Sequence, residues 1–197
     1  MAEIRAIAVI GAGALGRGIA YAAALGGYRT ILEDILPASL RKAESEFRTS
    51  LDQAIDVGRV RETEASAALA RLEYASSVEQ AAREADLVIE AVPEELESKS
   101  EIFTLLDKVC RPQTMIASNT SVFSIAEIAA VTYRPGKCLV MRFKHPVHEM
   151  KTLEIVRGPE TDEETIAACS EVARRMGKGV TVVADEIGRL PELPKSP

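Results

Sequence analysis

The sequence predicts an α/β fold: a doubly wound, mostly parallel sheet covered by helices on both faces. Two observations carry it. Short apolar runs rich in Ile, Val and Ala alternate with longer helical stretches through almost all of the 197 residues, the rhythm of parallel strands joined by crossover helices. The first of these runs leads without a gap into Gly11-Ala12-Gly13-Ala14-Leu15-Gly16, a glycine turn that opens a helix. The length suits one domain or one with a stub. With no Trp, four Phe and four Tyr, its core must be aliphatic.

The elements follow in order. Ile4 to Ile10 reads as a strand, Arg17 to Leu25 as a small-residue helix closed by Gly26-Gly27, and Tyr28 to Leu32 as a second strand ending on Glu33-Asp34. A long charged helix from Pro37 to about Val57 and a second from about Arg61 to Arg71 form an inserted helical hairpin. The alternation resumes with strand Leu72–Ala75, a short helix and the buried strand Asp86–Ala91. Pro93 is expected at the first position of the next helix, which runs to about Val109, with Glu94, Glu95 and Glu97 at its positive end. Strand Thr114–Ala117 precedes the polar turn Ser118-Asn119-Thr120-Ser121, and Ser124 with Glu127 predicts a capping box. Cys138–Phe143 and Thr152–Val156 read as strands. Thr161 with Glu164 reads as the cap of a helix ending at Arg174-Arg175-Met176-Gly177, and Val180–Ala184 as the last strand. Residues 1–188 are expected to form the domain and residues 189–197, with three prolines, an irregular tail.

Composition excludes several classes of function. The net charge of −6 argues against a nucleic-acid face. No apolar run reaches the ~18 residues of a membrane helix, and the N-terminus lacks a signal-peptide pattern. Cys110, Cys138 and Cys169 lie 28 and 31 residues apart, without metal-like spacing, and read as reduced thiols of a cytoplasmic protein. His145 and His148 have no further ligands clustered near them, so no metal is expected.

The glycine turn has the context that gives such a motif meaning: a strand before it, a helix after it, and Asp34 eighteen residues beyond Gly16. Gly11 allows the tight turn, Gly13 lets the backbone approach a pyrophosphate, and Gly16 lets helix pack close to strand. The helix N-terminus offers free N–H groups to phosphate. Asp34 is placed to accept from adenosine ribose hydroxyls, and its charge repels a 2′-phosphate, which favours NAD over NADP. The same fingerprint also serves FAD. The fold expected is therefore Rossmann-type.

Several further segments, in order, resemble the NAD-binding domain of the 3-hydroxyacyl-CoA dehydrogenases. These are the opening turn from Gly11 to Ala20, the segment from Ala85 to Glu94 (ADLVIEAVPE), the Ser118–Ser121 turn, and Met141 to Val156 (MRFKHPVHEMKTLEIV). The resemblance covers about residues 4 to 188. It implies oxidation of a 3-hydroxyacyl-CoA to the 3-oxoacyl-CoA, with hydride passing to NAD, in fatty-acid metabolism. It adds Ala14 and Leu15 to the cofactor turn and assigns Glu94 and Lys99 to the nicotinamide-ribose side. Ser121 is assigned to both cofactor and substrate oxygen and, more loosely, Ser50 to CoA.

The sequence departs from the family at two places. The family's general base is a His oriented by a Glu twelve residues later; Glu154 is present, but Arg142 holds the His position and His145 the position of an Asn. Arginine offers donors only and takes no proton from a hydroxyl, and general-base help is worth ~10²–10⁴-fold. An ion pair between Arg142 and Glu154 across neighbouring strands is expected instead. In strand alternation His145 points away from Arg142 unless the strand ends early. The family's C-terminal helical domain also has no counterpart in the sequence after Gly188. Three readings stay open: a family dehydrogenase impaired as this chain, working with a separate C-terminal domain or as a homo-oligomer; a non-catalytic NAD-binding module or decayed paralogue; and a dehydrogenase of a non-CoA hydroxy acid whose carboxylate Arg142 grips.

Overall fold

In the computed structural model, which describes residues 3–187, the chain runs β1 (Ala6–Ile10), α1 (Ala14–Leu25), β2 (Arg29–Glu33), α2 (Pro37–Asp56), α3 (Glu62–Ala70), β3 (Leu72–Ala75), α4 (Val78–Ala82), β4 (Leu87–Glu90), α5 (Leu96–Val109), β5 (Met115–Ser118), α6 (Ile125–Ala129), β6 (Cys138–Arg142), β7 (Thr152–Arg157), α7 (Glu163–Arg175) and β8 (Gly179–Ala184). The tail expected over residues 189–197 lies outside the described residues. The eight strands form one sheet in the order β3-β2-β1-β4-β5-β6-β7-β8. All neighbours are parallel except β6 and β7, which run antiparallel.

Alternation along the strands divides the core in two. Ile7 and Val9 of β1 pack on one face with Ile19 of α1 and Cys169 of α7. Ala8 and Ile10 pack on the other with Phe103 of α5 and Ile128 of α6. Each fully buried Ile, Leu or Phe contributes about 1.5–3 kcal/mol, so the two aliphatic layers hold the sheet rigid beneath the site. The expected hairpin is present as α2 and α3, inserted between β2 and β3, with Pro37 starting α2 as predicted. The three cysteines are free and buried.

Three local expectations are corrected. Pro93 does not start a helix: α5 begins at Leu96 with Glu95 as its cap, and Pro93 accepts from the Glu95 N–H (2.8 Å) in a preceding turn. Glu94 is thereby left outside the helix, free to bond elsewhere. Ser124 caps α6 as expected, but Asp185, not Glu127, completes that cap: its Oδ2 accepts from the Ser124 hydroxyl at 2.6 Å and the Ile125 N–H at 2.8 Å. The cap of α7 is Asp162, because the Thr161 hydroxyl already donates to the Cys138 carbonyl (2.7 Å) and accepts from the Gly158 N–H.

Candidate functional site

From β1 the chain crosses to β2 on one side of the sheet, while β4 flanks β1 on the other. Such a switch point leaves a crevice at the carboxyl ends of the strands, and a cleft of 820 Å³ lies there. Gly11 stands at φ +99°, and a Cβ on it would come within 2.9 Å of the Ala91 carbonyl oxygen. A Cβ on Gly16 would sit 1.9 Å from the Gly11 carbonyl oxygen, so helix and turn can be this close only through glycine. Gly13 differs. A Cβ there would meet no protein atom within 4 Å, yet Gly13 lines the cleft, so internal packing does not require glycine and the room above it is left to a ligand.

Asp34 follows β2 and ties the turn to it. Its Oδ2 accepts from the Ala12 N–H at 2.9 Å and its Oδ1 from the Leu36 N–H at 2.8 Å. These bonds orient the carboxylate along the cleft wall, where it also has lone pairs for a ribose diol. Ala14 and Leu15 line the cleft; Gly16 lies beneath it as the packing glycine. An open pyrophosphate cradle, a helix N-terminus and an acid beside them fit a dinucleotide carrying a free 2′-hydroxyl.

At the other end of the cleft, Glu94 holds the polar turn that follows β5. Its Oε1 accepts from the Ser121 N–H (2.7 Å) and the Thr120 hydroxyl (2.8 Å), and the Ser121 hydroxyl approaches it at 3.3 Å. Burial opposes its charge, but these donors and Lys99 outweigh it and hold the carboxyl below the usual range. Lys99, expected on the nicotinamide-ribose side, is itself fully buried and is not among the residues that line the cleft. Its Nζ pairs with Glu90 at 2.9 Å and Glu94 at 3.1 Å and donates to the carbonyls of Val92 and Asn119. Lys99 therefore positions Glu94 from below. Glu90 accepts as well from the Ser118 hydroxyl at 2.6 Å. Burial pushes its carboxyl above the usual range, with Lys99, Ser118 and the Val92 N–H pulling back.

Arg142 ends β6 directly opposite Glu154 of β7. Its Nη1 lies 2.7 Å from Glu154 Oε2, and its Nε donates to the Thr120 carbonyl at 3.2 Å. Arg142 lines the same cleft as Ser121. His145 does not join them. Because β6 ends at Arg142, His145 leaves the sheet and lines a second cleft of 640 Å³ with Ser50, Arg17 and Glu46. Lys178 holds that loop by donating to the carbonyls of Val147 and, at 2.6 Å, Met150. Ala14 borders both clefts, so they adjoin at the start of α1. The structure thus sets Ser121 and Arg142 on one cleft, with Glu154 paired to Arg142, and places His145 on the other with Ser50.

Two residues that sequence reasoning passed over complete the main cleft. Asn119 Oδ1 accepts from the Phe143 N–H at 2.8 Å, fixing where the chain leaves β6; its place in the polar turn was the available signal. Glu33, buried under the cleft wall, had none beyond its place beside Asp34. Among the described residues no cluster of three or more His, Cys, Asp or Glu is placed to hold a metal, and no helix is long and apolar enough to cross a membrane.

Comparison with known proteins agrees with this geometry. Residues 6–187 match the family model described as 3-hydroxyacyl-CoA dehydrogenase, NAD binding domain. A probable 3-hydroxybutyryl-CoA dehydrogenase of Bacillus subtilis is 39% identical over 183 residues, 93% of this chain and 63% of that protein. The 3-hydroxybutyryl-CoA dehydrogenase of Bradyrhizobium diazoefficiens is 36% identical, covering 93% of this chain and 62% of that one. The crystal structure of 3-hydroxybutyryl-CoA dehydrogenase from Escherichia coli K12 superposes with a TM-score of 0.90 at 33% identity, over 93% of this chain and 39% of the other. The chain spans somewhat less than two thirds of the length of these curated relatives. A match that runs from the first strand to the last, on a sheet whose crevice fits a dinucleotide, makes this chain a member of the 3-hydroxyacyl-CoA dehydrogenase family, matching that family's NAD-binding domain.

Proposed function

We propose that this chain binds NAD in the main cleft and belongs to an oxidoreductase acting on 3-hydroxyacyl-CoA thioesters, and that its own turnover is impaired at the proton-transfer step. NAD supplies a hydride acceptor. The chain's residues orient it: the turn at Gly11–Gly16 holds the pyrophosphate, Asp34 the adenosine ribose, and Glu94 with Ser121 the nicotinamide end. Ser121 Oγ offers a hydrogen bond to the substrate's 3-oxygen. Removing the hydroxyl proton then requires a base beside that oxygen, and the group in the cleft wall is Arg142.

The observation that carries this reading is the 2.7 Å pair between Arg142 and Glu154. Glu154 is bound to a permanent cation where a histidine would need its carboxylate, and Arg142 has no lone pair to accept a proton. The test has two arms. NADH titrated by fluorescence should bind; absence of binding at millimolar NADH would sink the cofactor assignment. Acetoacetyl-CoA reduction should be slow in the native chain and rise about 10²-fold or more in Arg142→His, where Glu154 can orient the new imidazole. Native turnover at the rate of an ordinary dehydrogenase would refute the impairment.

A second reading is favoured by the same residue. Among the described residues two guanidinium nitrogens are engaged, by Thr120 and Glu154, which leaves the third available to a ligand, and Arg142 lines the cleft. A 3-hydroxy acid with a free carboxylate would meet a fork donor there. Turnover of such an acid in preference to the thioester, lost in Arg142→His, would select this reading.

A further inference from the structure

Glu33 is the last residue of β2, 3% exposed, and it lines the main cleft. Its Oε1 is buried without a hydrogen-bond partner among the described residues. Asp34, its neighbour, has both oxygens engaged by backbone N–H groups. A buried polar atom left unmatched in a native structure calls for an explanation, because nearly all such atoms are bonded. The direction of the bound dinucleotide supplies one. With the pyrophosphate over Gly13 and the ribose at Asp34, the base must continue past Asp34, away from Ser121. Ile35 and Leu36, which follow Asp34 in the chain, line the cleft together with Ile10, Val78 and Ile102, and Glu33 and Asp34 are the carboxylates that β2 brings to it. Aliphatic walls suit the faces of a purine; one inward acceptor suits a donor on its edge.

We propose that Glu33 reads the base of the dinucleotide: a turn of its side chain brings the unpaired Oε1, sealed here under the cleft wall, to accept a hydrogen bond from the exocyclic amine of adenine. The inference rests on the NAD assignment. Burial, assisted by Asp34 and Glu79 and countered by the Gly11 N–H, pushes the free carboxyl up to about 7. At pH 8.5 it is therefore chiefly the carboxylate, an acceptor only. A purine that presents an oxygen at the same place sets lone pair against lone pair, and discrimination follows from the unpaired buried group.

The experiment compares NADH with its deaminated analogue, reduced nicotinamide hypoxanthine dinucleotide, by fluorescence titration at pH 8.5. The native chain should bind NADH at least about tenfold more tightly. Glu33→Val should bring the two affinities together. Glu33→Gln is the closer replacement: its amide can turn either oxygen or nitrogen to the base, so it should bind the hypoxanthine analogue more tightly than the native chain does. Equal affinities in the native chain, or a preference unchanged in both variants, would overturn the role of Glu33 and leave the NAD assignment standing. Binding of neither nucleotide would overturn both.

Discussion

Arg142 and Glu154 face each other directly across the antiparallel pairing of β6 and β7, Nη1 to Oε2 at 2.7 Å. The pair belongs to the site more than to the scaffold. Arg142 is 23% and Glu154 38% exposed at the side chain, and pairs this wet contribute about 0.2–1 kcal/mol. Arg142→Ala should therefore lower the denaturation midpoint by no more than a few degrees. A loss above ~3 kcal/mol in urea unfolding would show that the pair is structural.

The opposite holds for Lys99 and Glu90, both fully buried. Removing one partner of a buried pair typically costs about 3–5 kcal/mol. Lys99→Met should lower the melting temperature by roughly 10 °C, at ~2–4 °C per kcal/mol for a chain of this size. The double change Lys99→Met with Glu90→Leu should recover much of the loss. NADH binding in Lys99→Met should weaken as well, since Glu94 loses its support at 3.1 Å. An unchanged melting temperature would refute this.

Gly13 and Gly16 separate binding from folding. At Gly16 a methyl group would overlap the Gly11 carbonyl oxygen, so Gly16→Ala should distort the turn and lose both stability and NADH affinity. Gly13→Ala meets open space and should keep its melting temperature within a few degrees while NADH binding falls. Equal effects on both properties in the two variants would contradict the assignment of the space above Gly13 to pyrophosphate.

Glu33 gives stability a pH dependence whose sign can be worked out. Its carboxyl ionises near 7 in the folded chain and near 4.3 when unfolded. Between those values the native state holds the extra proton, so stability is greatest below the unfolded value and falls as pH rises through about 7. The contribution is on the order of 3 kcal/mol. Urea unfolding of the native chain and Glu33→Gln, compared at pH 5 and pH 8, should show the variant losing less over that interval. Parallel curves would refute it.

How much could be read beforehand depended on how local the cause was. The glycine turn and Asp34 were legible because each glycine answers a backbone requirement within a few residues. Arg142 opposite Glu154 was legible because the family resemblance puts the two residues, twelve apart, at the places of a dyad that spans neighbouring strands. Lys99 was not: nothing in its own helix says that Glu90, nine residues earlier on another element, waits beneath it. Thr161 looked like a cap until the Cys138 carbonyl claimed its hydroxyl. His145 turned on a single fact, the end of β6 at Arg142. Glu33 was hidden by its neighbour, since which of two adjacent acids points inward is set by the pairing of β2 between β1 and β3.

Asp185 fastens the far end of the described chain to the beginning of α6, a few residues after Ser121. A fragment cut after Ala184 would retain every strand and helix seen here, yet release that latch. Such a protein should still melt cooperatively while its nicotinamide-side turn slackens. The shortest chain that folds and the shortest chain that holds its cofactor well would then differ by one carboxylate.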